Sequence, residues 1–182
     1  MIRFILSSAL TLTISASFAQ EKSFTLDDYL EYNAALDLKV DSVFKTLDEG
    51  GIVAQLIMPA VGKYGSPEDS IVNLIKQNKI GGVLLLNGTK SEFKGWTNKF
   101  EGLNEKYNHL PFLYSADAEP SLFNRKMRES APVKKAVEIN SMEDIYAAAH
   151  IISDELNEVG VNYNFAPVVD VSSNKTVGYR SL

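Results

Sequence analysis

The sequence predicts an α/β fold that corresponds to the first half of a (β/α)₈ barrel, with about four β/α units, and three observations support it. Short apolar segments of strand length alternate with amphipathic helical segments, which is typical of parallel strands joined by right-handed crossovers. No strand-to-helix turn carries the G-x-G-x-x-G loop of a dinucleotide-binding sheet. Polar residues collect where the strands end, and these ends form the active face of a barrel.

Length and composition limit the prediction further. The chain has 182 residues, whereas a complete barrel takes roughly 250, so the predicted barrel is incomplete. Hydrophobic residues make up 45% and charged residues 23% of the sequence, as expected for one globular unit. The net charge of −5, with no cluster of basic residues, argues against a nucleic-acid binder. An open doubly wound sheet remains the alternative fold.

The N-terminus has the pattern of a signal peptide. Arg3 precedes an apolar run over residues 4–14, and Ser17 and Ala19 supply small residues at the −3 and −1 positions of a cleavage site. The run is shorter than the about 20 residues that span a bilayer. We therefore expect residues 1–19 to be removed, leaving a periplasmic or secreted protein with no membrane association. No cysteine occurs, so neither a lipid-modified cysteine nor a disulfide is expected.

The first predicted elements are a helix and a buried strand. Residues 26–47 mix apolar and charged residues at helical spacing, and Gly50-Gly51 is expected to end this helix. Residues 52–61 are almost continuously apolar and are predicted to form the first strand. The apolar face of the helix is predicted to contain Leu36, Val40, Val43, Phe44 and Leu47.

The rest of the chain repeats a helix–strand pattern three times. Ser66 and Ser141 each precede acidic residues, so each is predicted to cap the start of a helix. A further helix is predicted from apolar residues spaced by three and four over residues 93–107. The strands that follow the three helices are predicted at residues 83–87, 111–117 and 161–171.

Candidate site residues lie at the predicted strand ends. Asp117 ends the third strand, and Glu119 follows it. Carboxylates in this position can accept hydrogen bonds from sugar hydroxyls or act as acid and base. Asp170 and Arg180 follow the fourth strand, and an arginine fork suits hydroxyl pairs. Each has a structural alternative as well: Asp117 or Glu119 could cap the next helix, Asp170 could hold its own loop, and Arg180 could be a surface residue.

Other kinds of site are not indicated. His109 is predicted to lie in a loop and His150 in the middle of a helix, where both fit structural or exposed positions. No His, Asp or Glu set has metal-ligand spacing on a helix, so neither a metal nor another cofactor is expected. No G-x-S-x-G elbow indicates a serine hydrolase.

Five segments together resemble glycoside hydrolase family 3 over about residues 40–182. They are Val40 to Met58, Ile80 to Leu85, Ser115-Ala116-Asp117-Ala118-Glu119, Glu155 to Asp170 with its NFAPVVD run, and Gly178-Tyr179-Arg180-Ser181. The combination of NFAPVVD and YRS is the most specific part. Pro120 and Ser121 stand where the family commonly has two glycines after the strand-end glutamate, and Leu182 stands where it usually has phenylalanine.

The resemblance implies a domain organisation and an activity. Residues 1–19 would be the signal peptide, 20–39 a lead-in segment, and 40–182 part of the family's N-terminal barrel domain. The branch that is resembled is the bacterial β-N-acetylglucosaminidases. It implies hydrolysis of terminal β-linked N-acetylhexosamine or β-glucoside residues with retention of configuration.

By the same resemblance, Asp117 and Arg180 would bind hydroxyls of the sugar in the −1 subsite, with Glu119 and Asp170 as possible supporting residues. The family's aspartate nucleophile and histidine acid/base come later in chain order, so no catalytic residue is expected within these 182 residues. A carbohydrate is the expected partner. The alternatives are a non-catalytic sugar-binding protein, an inactive fragment of a barrel hydrolase, and a different barrel enzyme. Open edge strands lead us to expect that the isolated chain self-associates.

Overall fold

The computed structural model describes residue 27 and residues 30–170. The chain divides between Asp41 and Ser42 into two units, and the sheet described below belongs to the second. The helices are α1 (Ala34–Phe44), α2 (Glu49–Ala54), α3 (Glu68–Lys76), α4 (Lys90–Lys106), α5 (Phe123–Lys126) and α6 (Met142–Glu158). The strands are β1 (Ala60–Val61), β2 (Gly82–Leu85), β3 (Gly88–Thr89), β4 (Leu113–Ala116), β5 (Met127–Arg128) and β6 (Tyr163–Asn164).

Four strands form a parallel sheet in the order β1-β2-β4-β6. The register sets Val61 beside Leu85 and Leu84 beside Ser115. β6 joins the other side of β4 with Ala116 beside Asn164. Each strand lies next to the preceding strand of this sheet in the chain, without the reversal of order that marks a doubly wound fold. The predicted α/β fold with parallel strands is therefore confirmed.

The core lies between this sheet and the helices α3, α4 and α6. The hydroxyl of Tyr114 on β4 donates to Glu101 Oε2 of α4 at 2.9 Å, and burial, with this bond, raises the pKa of the phenol. Apolar packing against the sheet excludes water and is the main stabilising contribution to folding. The core side chains that are no more than 1% exposed are Val61, Ile71, Ile75, Ile80, Val83, Phe93, Phe100, Phe123 and Val159.

Of the two serine caps predicted from the sequence, the structure confirms one. Ser141 Oγ accepts from the Asp144 amide at 3.1 Å, so the predicted cap of α6 is confirmed. Ser66 does not cap α3, because Pro67 occupies that position without a side-chain bond. The Ser66 amide instead donates to the carbonyl of Ala60 at 2.7 Å. That bond holds the turn after β1, and the prediction for Ser66 was wrong.

The segment predicted as the first strand is largely not a strand. Glu49–Ala54 is a helix, and only Ala60–Val61 pairs with β2. Asp48 Oδ1 accepts from the Gly51 amide at 2.7 Å and so caps this helix. Gly50-Gly51 therefore lies in its first turn instead of ending the preceding helix. Val53 and Leu56 are 57% and 81% exposed, which also contradicts the predicted burial.

The other predicted elements have the right order but different lengths. The sheet strands β2 and β4 are shorter than predicted, and the fourth strand is reduced to Tyr163–Asn164. Helix α1 buries none of its residues. Within residue 27 and residues 30–170, no helix is both long and apolar enough to cross a membrane. In the described sheet, β1 and β6 are the edges, and self-association through them stays a prediction.

Candidate sugar-binding site

The loops that follow β1 and β2 are in close contact. Asn87 adopts a left-handed conformation with φ of 58°, and its carbonyl accepts from the Lys63 amide at 3.1 Å. A Cβ added to Gly62 would lie 2.0 Å from the carbonyl oxygen of Leu86, and Gly62 itself has φ of 119°. Only glycine fits this approach. The carboxyl ends of the first two strands are thus held together by main-chain contacts.

A second, two-stranded sheet joins the loop after β2 to the loop after β4. Its strands β3 and β5 are parallel, with Gly88 beside Met127 and Thr89 beside Arg128. Thr89 also begins α4 through a capping box with Glu92. The residue before β5, Lys126, is consequently fixed beyond the carboxyl ends of β2 and β4.

Asp117 lies one residue past β4 and forms an ion pair with Lys126. The Nζ atom of Lys126 contacts Oδ2 of Asp117. The side chain of Asp117 is 32% exposed and that of Lys126 is 15% exposed. The structure therefore gives Asp117 the position that the sequence predicted, half-buried at the carboxyl end of the sheet. It also adds Lys126, which the sequence interpretation missed.

Glu119 is 1% exposed and lies inside the same loop. Its main-chain carbonyl accepts from the amides of Leu122 and Phe123 at 3.0 and 2.8 Å, where α5 begins. Pro120 and Ser121 form the turn between Glu119 and this short helix. The main chain of Glu119 thus shapes the loop that returns Lys126 to Asp117. A supporting function of its carboxylate in sugar binding stays a prediction.

Asn164 on β6 holds the peptide unit between the two acids. Its Oδ1 accepts from the Ala118 amide at 3.0 Å, and its Nδ2 lies 3.5 Å from the Ala118 carbonyl. The direction in which Asp117 leaves β4 therefore depends on a side chain from the neighbouring strand. The residue belongs to the NFAPVVD run that the sequence singled out, but its bonds to Ala118 were not predicted.

The two remaining candidate site residues are Asp170 and Arg180. Asp170 is exposed beyond the end of β6, and Arg180 lies outside the described residues. The structure thus pairs Asp117 with Lys126, and Glu119 is buried two residues further along the same loop.

The histidines do not contribute to this cluster. His109 Nε2 lies 2.9 Å from the carbonyl oxygen of Ile75, a contact near the amino end of the sheet. His150 is exposed on α6. Within residue 27 and residues 30–170, no group of three or more acidic or histidine side chains could hold a metal ion.

An open cavity of about 510 Å³ lies beside the loop that follows Glu119. Neither Asp117 nor Lys126 lines it. Arg125 and Lys135 supply its positive charge. The full lining is Pro120, Ser121, Leu122, Asn124, Arg125, Val133 and Lys135. The described lining lies within residues 120–135, whereas Asp117 directly follows a strand of the sheet, so the Asp117–Lys126 pair is the better candidate for a site on the active face.

Comparisons with known proteins identify the family. Residues 46–182 match the model of the glycosyl hydrolase family 3 N terminal domain. The chain therefore belongs to glycosyl hydrolase family 3. It is 32% identical over 112 residues to the β-hexosaminidase A of Pseudoalteromonas piscicida, a match that covers 56% of this chain and 19% of that protein.

A solved structure supports the same conclusion. The family 3 β-N-acetylglucosaminidase from Paenibacillus sp. str. FPU-7 superposes with a TM-score of 0.57 at 26% identity, covering 66% of this chain and 24% of that chain. The chain thus spans about a fifth of one relative and about a quarter of the other. The parallel sheet described above is consistent with part of this family's barrel-like domain.

Proposed function

We propose that the protein which contains this chain hydrolyses terminal β-linked N-acetylhexosamine or β-glucoside residues, and that this chain supplies part of the sugar-binding surface. Membership of glycosyl hydrolase family 3 supports the reaction class. The names of the relatives, a β-hexosaminidase and a β-N-acetylglucosaminidase, favour an N-acetylhexosamine substrate. A carbohydrate is therefore the proposed partner.

One observation supports the proposed binding function most directly, namely the half-buried carboxylate of Asp117 at the carboxyl end of β4. A carboxylate can accept two or more hydroxyl protons. At partial burial those hydrogen bonds compete with less water than they would at the surface. In this proposal Asp117 and Arg180 bind hydroxyls of the sugar, Glu119 supports the loop, and Asp170 supports the following strand end.

The proposed mechanism retains the configuration of the sugar through a covalent intermediate on an aspartate. The nucleophile and the acid/base histidine are proposed to lie outside these 182 residues. The purified 182-residue chain should then bind methyl β-N-acetylglucosaminide without releasing p-nitrophenol from p-nitrophenyl β-N-acetylglucosaminide. Asp117→Asn should abolish the binding, while Asp69→Asn, an exposed acid on α3, should leave it unchanged.

The outcomes separate the alternatives. Turnover by the 182-residue chain would contradict the proposed position of the catalytic groups. If the protein isolated from its native host binds the sugar but does not hydrolyse it, the chain belongs to a non-catalytic sugar-binding protein. If neither protein binds the sugar, the proposed function is wrong.

Export is a separate part of the proposal. The signal peptide falls on residues 1–19, which are outside the described residues. Amino-terminal sequencing of the protein from its native host should begin at Gln20. A sequence that begins at Met1 would contradict both the cleavage and the periplasmic or secreted location.

A further inference from the structure

The main chain around Lys126 is fixed by two elements. Lys126 is the last residue of α5 and directly precedes β5. The pairing of β5 with β3 attaches this point to the loop after β2, and the Lys126 amide donates to the carbonyl of Leu122 at 2.9 Å. The backbone that carries the Lys126 ammonium group is therefore fixed by main-chain hydrogen bonds.

The side chain of Lys126 is unusually protected for a lysine. It is 15% exposed, and Nζ contacts Oδ2 of Asp117, whereas lysine side chains mostly lie in solvent. Arg125, its neighbour on the same helix, is exposed. When an ion pair is partly buried, the attraction between the two charges only about offsets the free energy that they lose by leaving water. Folding stability alone therefore gives little reason for this arrangement.

The pair has hydrogen-bonding capacity left after its own contact. An ammonium group has three protons and a carboxylate has about four acceptor positions. Asp117 is still 32% exposed, so a ligand can reach it. Together the two groups are close to neutral and present a donor beside an acceptor. A sugar hydroxyl, which both donates and accepts, matches this combination better than an anion or a cation does.

We propose that Lys126 is a second sugar-binding residue, which donates to the same hydroxyl whose proton Asp117 accepts, or to the hydroxyl on the adjacent carbon. This inference rests on the proposed function and goes beyond it, because Lys126 is not among the residues indicated by the family resemblance. The contact would make the site selective for a sugar with free hydroxyls at the ring edge that faces β4.

The test compares binding of methyl β-N-acetylglucosaminide and its 3-, 4- and 6-deoxy analogues by titration calorimetry. Lys126→Met should weaken binding of the parent sugar about 10- to 100-fold, as expected for a lost bond to a charged group. For one deoxy analogue, the wild-type protein and Lys126→Met should bind equally, because the contacted hydroxyl is already missing. Lys126→Arg should regain part of the affinity. Arg125→Met is the matched control and should bind like the wild type.

The alternatives give different results. Equal weakening of the parent and of every deoxy analogue would mean that Lys126 only orients Asp117, which overturns the proposed contact. Unchanged binding by Lys126→Met together with loss in Asp117→Asn would overturn it too, while leaving the proposed function intact. Loss of binding in Arg125→Met alone would move the site to the neighbouring cavity. If the wild-type protein binds none of the sugars, the proposed function fails first. Thermal unfolding of each variant confirms that it is folded.

Discussion

Asn162, which directly precedes β6, and Asn164, on β6, bond in a similar way to main-chain groups at the two ends of β4. Asn162 Oδ1 accepts from the Tyr114 amide at 2.9 Å, and its Nδ2 donates to the Phe112 carbonyl at 3.1 Å. Asn164 Oδ1 accepts from the Ala118 amide at 3.0 Å. Both side chains satisfy main-chain groups that the short strand β6 leaves without a ladder partner.

The surroundings of the two asparagines differ. At the amino end of β4, Phe112 and Tyr114 are each 4% exposed and belong to the hydrophobic core. At the carboxyl end, the residues next to Ala118 are Asp117 and Glu119, and Lys126 returns to the first of them. The same bond therefore serves packing at one end and positions charged groups at the other. This division agrees with the general rule that barrels are stabilised at one face and active at the opposite face.

The largest expected effect is a loss of folding stability from a substitution at the amino end of the sheet. A Cβ at Gly81 would lie 2.6 Å from the Cα of Gln55, in a contact between backbones that cannot easily relax. Gly81→Ala should therefore lower the free energy of unfolding by about 3 kcal/mol, measured by urea denaturation. Gly95→Ala on α4, where nothing lies within 4 Å of the added atom, should raise it by about 0.5–1 kcal/mol. Equal effects of both variants would show that the amino end is not tightly packed.

Substitution of Asn162 and Asn164 tests most directly whether the two ends of β4 differ in function. Asn162→Ala and Asn164→Ala should each lower the free energy of unfolding by about 1–2 kcal/mol, because each leaves main-chain groups without a protein partner. Only Asn164→Ala should also weaken binding of methyl β-N-acetylglucosaminide, since only that asparagine orients Asp117. The measurements are urea unfolding and titration calorimetry on the same preparations. Weakening of sugar binding by both variants to the same extent would remove the distinction between the ends.

The smallest effect is expected at a contact between helices that lies away from both ends. A hydrogen bond from Lys99 lowers the pKa of Glu68, against the opposing effect of burial, and Trp96 Nε1 also donates to Glu68 at 3.0 Å. Because the pKa is lowered on folding, the stabilisation is present above about pH 4.5 and is lost as the pH falls through the folded value.

The urea midpoint of the wild-type protein should thus fall more between pH 7 and pH 3 than that of Glu68→Gln. Glu105→Gln, an exposed acid on α4, should behave like the wild type. Sugar binding at pH 7 should be the same in all three proteins. An identical pH response of wild type and Glu68→Gln would show that this ion pair does not stabilise the fold.

The order of the β/α units could be predicted because each is encoded locally. The cap at Ser141 and the apolar spacing of α4 specify helices without reference to distant residues. Residues 52–58 could not be assigned in this way, since a short apolar run fits a strand or a helix equally well. In the structure, the bond from the Gly51 amide to Asp48 caps a helix that ends at Ala54.

Only the part of the candidate site that is encoded locally could be predicted. Asp117 follows an apolar run, and its position at a strand end can be read from the sequence. Lys126 could not be found, because it reaches Asp117 through the pairing of two-residue strands far apart in the chain. The two-residue spacing of Asn162 and Asn164, which places extended residues on the same side of the chain, is a signal that could have indicated their similar bonds to β4.

We propose that sugar binds at the carboxyl end of β4 and not at its amino end. A titration of the ¹⁵N-labelled chain with methyl β-N-acetylglucosaminide, followed by amide NMR shifts, tests it most directly. We expect shifts at Asp117, Ala118 and Lys126 that saturate together, with Phe112 and Asn162 unchanged. Shifts confined to Phe112 and Asn162, or no saturable shift at Asp117 and Lys126, would contradict it.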